Sequence, residues 1–315
     1  MKAAVYYQNG DPSVLRYEDV PDPVCHPKGV VIRVEAVSVE GGDTLNRLRG
    51  ALATTPHIVG YQAAGEIIEV GAEVTHLKVG DRVATVDGYG SHAELRPVPA
   101  RNCWPAAVGA DMVPVAFGTA HECLFGRGQL KSGEVALIQA GASGVGIAAI
   151  QLAKQAGATV IATASSDERL DRLKVYGLDH GINYARDGVA AEVKRLTGGK
   201  GADVVVDPVG GTTLQSSIDS LAYRGRLSMV GAAGREPMKV DVATLMYGNQ
   251  SLSGVFLGAE IMTDRVHDMI QGLIENVAQG KIEVLIDRRY ALSEAAEAHA
   301  YIESRQAVGR VILMP

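Results

Sequence analysis

The chain has 315 residues, 47% of them hydrophobic and 21% charged, a composition that fits one large or two ordinary folded domains and not a disordered protein. Its formal net charge of −6, with no run of Lys and Arg, argues against a nucleic-acid surface, and no stretch approaches the ~20 apolar residues that span a bilayer. Cys25, Cys103 and Cys123 are too widely spaced for a disulfide framework or a Cys-x-x-Cys site, and the start MKAAVYYQNG lacks a signal-peptide pattern, so the expectation is a soluble cytoplasmic protein.

Met1 to about Val113 is rich in short alternating segments punctuated by Gly and Pro. Val30 to Ser38, Ala64 to Val70 and Asp81 to Val86 read as strands of a mostly antiparallel β-domain. Phe117 to Leu130 reads as a helix leading into Glu134 to Gly157, where an apolar strand (Val135 to Ile138) meets a small-residue turn (Ala140 to Gly146) and then a helical pattern. Glycines at 141, 144 and 146 permit a sharp turn, and the free N–H groups of the helix start suit a pyrophosphate. Strands at Thr159 to Ala164, Gly181 to Tyr184, Ala202 to Val206 and Arg226 to Val230 follow. They alternate with helices at Asp167 to Tyr176, Ala190 to Leu196 and Thr212 to Leu221, the pattern of a parallel sheet with helices on both faces; with the glycine turn this favours a dinucleotide-binding domain over a structural α/β domain with no cofactor. Beyond a second glycine loop, Gly231 to Gly234, come a strand at Ser251 to Phe256 and a helix at Ile261 to Gln279. Arg289 to Leu292, a helix from Ser293 to Ser304 capped by Ser293, and a strand at Gly309 to Leu313 complete the chain.

The tip of the second parallel strand indicates which dinucleotide. An NAD site usually places Asp or Glu there, about 20 residues past the glycine turn, to bind the ribose 2′-hydroxyl. Here the tip reads Thr163, Ala164, Ser165, Ser166, with Arg169 one turn on and Tyr184 ending the next strand. These groups suit a 2′-phosphate and favour NADPH. Asp167 and Glu168 would oppose it unless they point away. The alternative is that Ser165 caps the following helix and Arg169 is a solvated charge.

Several stretches together, MKAAVYY…GDPSVL, VGYQAAGEIIEVGAEVTHLKVGDRVA, GASGVG, GINY, DVVVDPVGG and SRQAVGRVILMP, resemble the zinc-independent quinone oxidoreductase branch of the medium-chain dehydrogenase/reductase superfamily from end to end. The resemblance implies a GroES-like β-rich domain (1–114 and 258–315), a Rossmann NADPH-binding domain (115–257) and an active site in the cleft between them. It implies a phosphate turn of Ala142, Ser143, Gly144, Val145 and Gly146 and a 2′-phosphate pocket of Ser165, Arg169 and Tyr184. Val209 would lie on the adenosine side, Gly231, Ala232 and Ala233 beneath the nicotinamide ribose, and Phe256 and Leu257 by the carboxamide. Thr119 would lie near the nicotinamide, and Arg305 would reach back to the cofactor. Without the resemblance, Phe256 and Leu257 read as sheet core and Arg305 as a surface residue. A homodimer pairing the Ser251 to Phe256 edges is also implied.

Zinc-dependent relatives share this architecture. Where they carry Gly-His-Glu this chain reads Gly60, Tyr61, Gln62, and Ser38 stands near their cysteine ligand, so no metal is expected; His57, His76, His92 and His121 read as surface or packing residues. Members resembling the bacterial quinone reductases read Val-Asn-x-x-Asp-Thr-Tyr where this chain has Val39, Glu40, Gly41, Gly42, Asp43, Thr44, Leu45, with two glycines expected to loosen a substrate loop. His121 stands where an aromatic Tyr is common. The expected chemistry is hydride transfer from NADPH to a quinone or another α,β-unsaturated carbonyl, with Glu40, Asp43 and Thr119 as candidate catalytic residues. Burial would raise the Glu40 pKa and suit it to proton supply. A non-catalytic NADPH-binding protein is the remaining alternative.

Overall fold

The structure, a computed structural model, describes residues 1–107, 109 and 112–315. The chain divides into two compact units: Met1–Val115 with Gly258–Pro315, and Ala116–Leu257.

The continuous unit is built on six parallel strands in the spatial order His180–Asn183, Thr159–Ala164, Val135–Ile138, Ala202–Asp207, Leu221–Met229, Ser251–Gly254. Parallel strands covered on both faces read as unbroken apolar runs, and Val204, Val205 and Val206 are fully buried accordingly. Leu137, Ile161, Ile182, Val205 and Leu227 from the sheet pack with Val193, Leu214 and Ile218 from its helices. The order reverses between Val135–Ile138 and Ala202–Asp207, and an open α/β sheet holds its ligand at the carboxyl ends of the strands at such a point.

Three expectations need correction in this unit. The strand expected from Arg226 begins at Leu221, and the last strand stops at Gly254, which leaves Phe256 in a loop with 72% of its surface exposed. The helix expected over 117–130 is α-helical only at Pro114–His121. Over Glu122–Arg127 it widens to five-residue turns, with the Gly128 N–H reaching the Cys123 carbonyl at 2.9 Å.

The discontinuous unit is organised by the long strand Gly29–Val39, which pairs antiparallel with Gln62–Val70, Leu95–Pro99 and Arg310–Met314. The C-terminal strand supplies Val311 and Leu313 to the same core as Val30, Ile32, Val34 and Ile67. Prolines 97 and 99 conceal the strand Leu95–Pro99 from a sequence reading. A smaller sheet joins Arg16–Asp19, Lys2–Tyr6 and His57–Ile58. The helix Asp264–Ala278 is capped by the Thr263 hydroxyl. Trp104, the single tryptophan, stacks on its His267 at 5.0 Å between ring centres and donates its indole N–H to the His267 carbonyl.

Two further corrections fall here. Ser293 does not cap the last helix: a short 3₁₀ turn, Leu292–Glu294, precedes the helix Ala295–Glu303, and Glu294 takes the Ala291 N–H at 2.8 Å. The segment after Glu40 is no loosened loop. Gly41–Arg49 is a helix, entered through Glu40, whose N–H is accepted by the Asp43 carboxylate at 2.8 Å.

Candidate functional site

The turn after Val135–Ile138 is set by a line of hydrogen bonds across three strand ends. The Thr163 hydroxyl donates to Gln139 Oε1 (2.8 Å), Gln139 Nε2 to Ser217 Oγ (3.0 Å), and the Ser217 hydroxyl to Asp207 Oδ2 (2.8 Å). Thr163 also accepts the Ala140 N–H, and its carbonyl takes that of Gly141, so the turn is pinned to the neighbouring strand as the backbone passes Ala140 at a φ of 50°. Ser143 then caps the helix Gly144–Gln155 by accepting the Gly146 N–H at 3.0 Å. The amides of Gly144 and Val145 open this helix and have no carbonyl a turn behind them, which makes the turn an anion cradle. Gly146 must be glycine: a Cβ there would lie 2.4 Å from the Ala140 carbonyl oxygen.

At the tip of the second strand the Arg169 guanidinium donates to Ser165 Oγ at 3.0 Å, and the Tyr184 N–H bonds the Ala164 carbonyl at 3.1 Å. Ser165, Arg169 and Tyr184 are thus brought together. Ser166, not Ser165, caps the helix Asp167–Leu173, which leaves the Ser165 hydroxyl to Arg169. Asp167 is turned to Arg186 (2.9 Å) and Asn183 (3.2 Å), which hold its carboxyl below the usual range.

Across the switch point, Asp207 Oδ1 accepts the N–H groups of Val209 and Gly210, and the Gly231 to Gly234 loop is laced to it through Ala233 N–H to the Pro208 carbonyl and Gly234 N–H to the Val209 carbonyl. Gly231, Ala232 and Ala233 therefore share one sheet end with Val209 and the phosphate turn. Leu257 is buried and Phe256 is not, so sheet core describes at most Leu257. Thr119 lies buried on the helix Pro114–His121, and the His121 ring packs tilted on Phe125 at 4.8 Å between ring centres. Arg305 belongs to the other unit, exposed just past the helix Ala295–Glu303.

The discontinuous unit has a polar centre of its own. Arg310 opens the strand whose next residue, Val311, pairs with Val39, and its buried guanidinium donates to Ser38 Oγ and forms an ion pair with Glu40. Burial pushes the Glu40 carboxyl up, and Arg310 opposes that shift. Asp43, fully buried, accepts the Glu40 and Tyr61 N–H groups, yet burial and the neighbouring Glu40 raise it well above the ordinary carboxylate range. Arg96, also fully buried, donates to the Tyr61 and Tyr89 carbonyls and to Thr85. Glu40 and Asp43 thus sit together, whereas Thr119 is in the other unit. Sequence reasoning missed Arg310, Arg96 and Tyr61; an arginine amid the apolar strand VGRVILMP was the available signal.

Beneath this centre runs a second buried chain. Arg47 Nη1 donates to His299 Nδ1 (3.2 Å), His299 Nε2 faces His92 Nε2 (3.0 Å), and His92 Nδ1 meets Ser91 Oγ (3.1 Å). Because Arg47 can only donate, His299 carries its proton on Nε2 and His92 carries its own on Nδ1. His57 and His92 are buried packing residues, and His76 is exposed.

Comparison with known proteins places these features in a family. Residues 26–108 match the alcohol dehydrogenase GroES-like domain and residues 144–278 the zinc-binding dehydrogenase family. A quinone oxidoreductase of Pseudomonas aeruginosa is 33% identical over 97% of this chain and 97% of its own length. The chain belongs to the zinc-independent quinone oxidoreductase branch of the medium-chain dehydrogenase/reductase superfamily. A 2-haloacrylate reductase of a Burkholderia species is 32% identical over 99% of this chain and 98% of its own. A mycobacterial structure complexed with NADPH superimposes with a TM-score of 0.94, at 32% identity and full coverage of both chains.

Within this superfamily the residues at the metal-ligand positions here do not fit zinc. Ser38 Oγ is occupied by the Arg310 guanidinium, a cation already in place. Gln62 Oε1 accepts the Val115 N–H at 2.7 Å, and Tyr61 offers a phenol where the ligand histidine would stand. The cradle does fit a dinucleotide phosphate, at Gly146 and at the Ser165 to Arg169 pair.

Proposed function

We propose that this protein is an NADPH-dependent oxidoreductase that reduces quinones by hydride transfer without a metal, as a cytoplasmic homodimer. The observation that carries the cofactor reading is the Arg169 to Ser165 pair beside Tyr184, with Asp167 turned away to Arg186: hydroxyls and a guanidinium stand where an NAD site needs a carboxylate. NADPH supplies the hydride when bound. The chain's own residues do the rest: the Ser143-capped helix start holds the pyrophosphate, Ser165, Arg169 and Tyr184 hold the 2′-phosphate, and Gly231 to Ala233 with Phe256 and Leu257 orient the nicotinamide end. The GroES-like unit is proposed at 1–114 and 258–315, and it carries Glu40 and Asp43. Support for the homodimer is the free edge of Ser251–Gly254, flanked by exposed Met246, Tyr247 and Phe256.

A second reading, reduction of an enone or other activated alkene on the same scaffold, is favoured by the name of the Burkholderia relative. Glu40 in place of the family's amide further selects a neutral acceptor, because the one guanidinium beside it is already paired. Titration with NADPH and NADH, followed by oxidation rates with a quinone and a simple enone, tests both. Strong NADPH preference with quinone turnover is the expected result. Tight binding with no turnover on either acceptor would leave a cofactor-binding protein without reductase activity, and a monomeric mass by sedimentation would remove the dimer.

A further inference from the structure

The turn that follows the strand His180–Asn183 is closed by the Asn183 carbonyl, which accepts the N–H groups of Arg186 at 3.1 Å and Asp187 at 2.8 Å. It sets the Arg186 guanidinium between two carboxylates. Nε and Nη2 donate to the two oxygens of Asp187 at 3.0 Å each, and Nη1 donates to Asp167 Oδ2 at 2.9 Å. Asn183 completes the grip: its Oδ1 accepts the Ala185 N–H at 3.2 Å, which leaves its amide to donate to Asp167 Oδ1, also at 3.2 Å. Each oxygen of Asp167 therefore meets a donor from the segment 183–187, while Arg169, from the same helix as Asp167, is engaged with Ser165.

Asp167 is the acid that bears on cofactor choice. It is the first carboxylate past the strand tip Thr163 to Ser166, about 20 residues beyond the glycine turn, where an NAD site has the acceptor for its ribose hydroxyl. Turned back toward Ser165, its charge would repel a 2′-phosphate and its oxygens would suit a 2′-hydroxyl. Asp167 and Arg186 are each 62% exposed, so their pairing adds little to stability. Its consequence is where it puts the carboxylate. Resting on the NADPH reading above, we propose that Arg186 is a specificity-determining residue that acts through Asp167: with Asn183 it latches that carboxylate away from the 2′ site and makes the pocket one for a phosphate.

Arg186→Leu tests this by equilibrium binding, without turnover. The probes are adenosine 2′,5′-bisphosphate and AMP, which carry the adenosine end with and without the 2′-phosphate, followed by NADPH and NADH. With the latch cut, bisphosphate and NADPH affinity should fall roughly tenfold, the scale of a carboxylate facing a doubly charged phosphate a few ångströms away in water. AMP and NADH affinity should rise a few-fold, the scale of one hydrogen bond gained at a hydroxyl. Loss of fold alone would not move the two pairs in opposite directions. Adding Asp167→Asn to Arg186→Leu should restore bisphosphate and NADPH binding, whereas adding Asp187→Asn should not. In the ligand-free protein, NMR titration of labelled carboxyls should show Asp167 below the ordinary range in wild type and moved up in Arg186→Leu.

Binding unchanged in Arg186→Leu, or an Asp167 titration the same with and without Arg186, would overturn the latch. A loss of bisphosphate affinity that Asp167→Asn fails to restore would overturn it as well, since Arg186 would then act on the phosphate itself. A wild type that binds bisphosphate no better than AMP would instead fail the NADPH reading, and the latch with it.

Discussion

The two polar centres are built from opposite materials. At the end of the parallel sheet, Thr163, Gln139, Ser217 and Asp207 form a line in which a single carboxylate is met by a hydroxyl and two backbone amides, supplied by strand ends, the turns beside them and, for Ser217, the helix Thr213–Asp219. In the β-rich unit the groups are mostly ionisable, buried and distant in sequence: Glu40 meets Arg310 across 270 positions, and Arg47 meets Glu303 at 2.5 Å across 256. The first centre joins one carboxylate to neutral donors. In the second, each group's state depends on the next, so one substitution or a change in acidity propagates through it.

That contrast can be broken most forcefully at Arg310. Arg310→Met leaves Glu40 buried beside Asp43 with no cation, and stability should drop by about 3–5 kcal/mol, read as a lower denaturant midpoint; Arg310→Met with Glu40→Met should recover most of it. Acidity comes next. Burial and nearby Arg96 hold the His92 imidazole down at about 3, and burial, His92 and Arg47 hold His299 well below its ordinary value. Both histidines are therefore neutral in the folded chain, and the unfolded chain binds more protons below pH ~6.5. Their contribution is complete above that pH and is lost as pH falls toward the folded-state values, by about 2 kcal/mol per histidine near pH 5. His299→Gln should flatten the acid limb of a stability-against-pH curve, and an unchanged slope would show that this chain does not govern it.

A smaller and more selective effect is expected in the sheet-end centre. Arg169→Ala removes a charge-assisted contact worth about 1.5–3 kcal/mol, so NADPH affinity should fall roughly ten- to a hundredfold with NADH affinity nearly constant. Equal losses for both cofactors would separate Arg169 from the 2′-phosphate. Gly146→Ala should weaken both cofactors together, because the added methyl pushes the Ala140 carbonyl and deforms the cradle they share.

The same difference in materials explains what could be read in advance. The strand, glycine turn and helix of the nucleotide unit lie within two dozen consecutive residues, so their spacing alone carried the fold. The helix Gly41–Arg49 was hidden because two glycines are poor helix formers, and only the Asp43 cap, a contact in three dimensions, shows why it starts there. Ser293 looked like a cap because serine usually is one; the Glu294 carboxylate serves the Ala291 amide instead. No local pattern links Glu40 to Arg310, or Gly42 to Tyr61, since each pair meets only once sheet pairing or a returning segment brings it together.

One consequence follows from the place of Trp104. The only indole in the chain is fully buried in the β-rich unit, against the ring of His267, and the parallel-sheet unit has none. Its emission is thus a built-in optical probe of one unit alone. Followed alongside far-ultraviolet circular dichroism, which weighs the helices of both, it would show whether the two units melt as one cooperative body or in sequence.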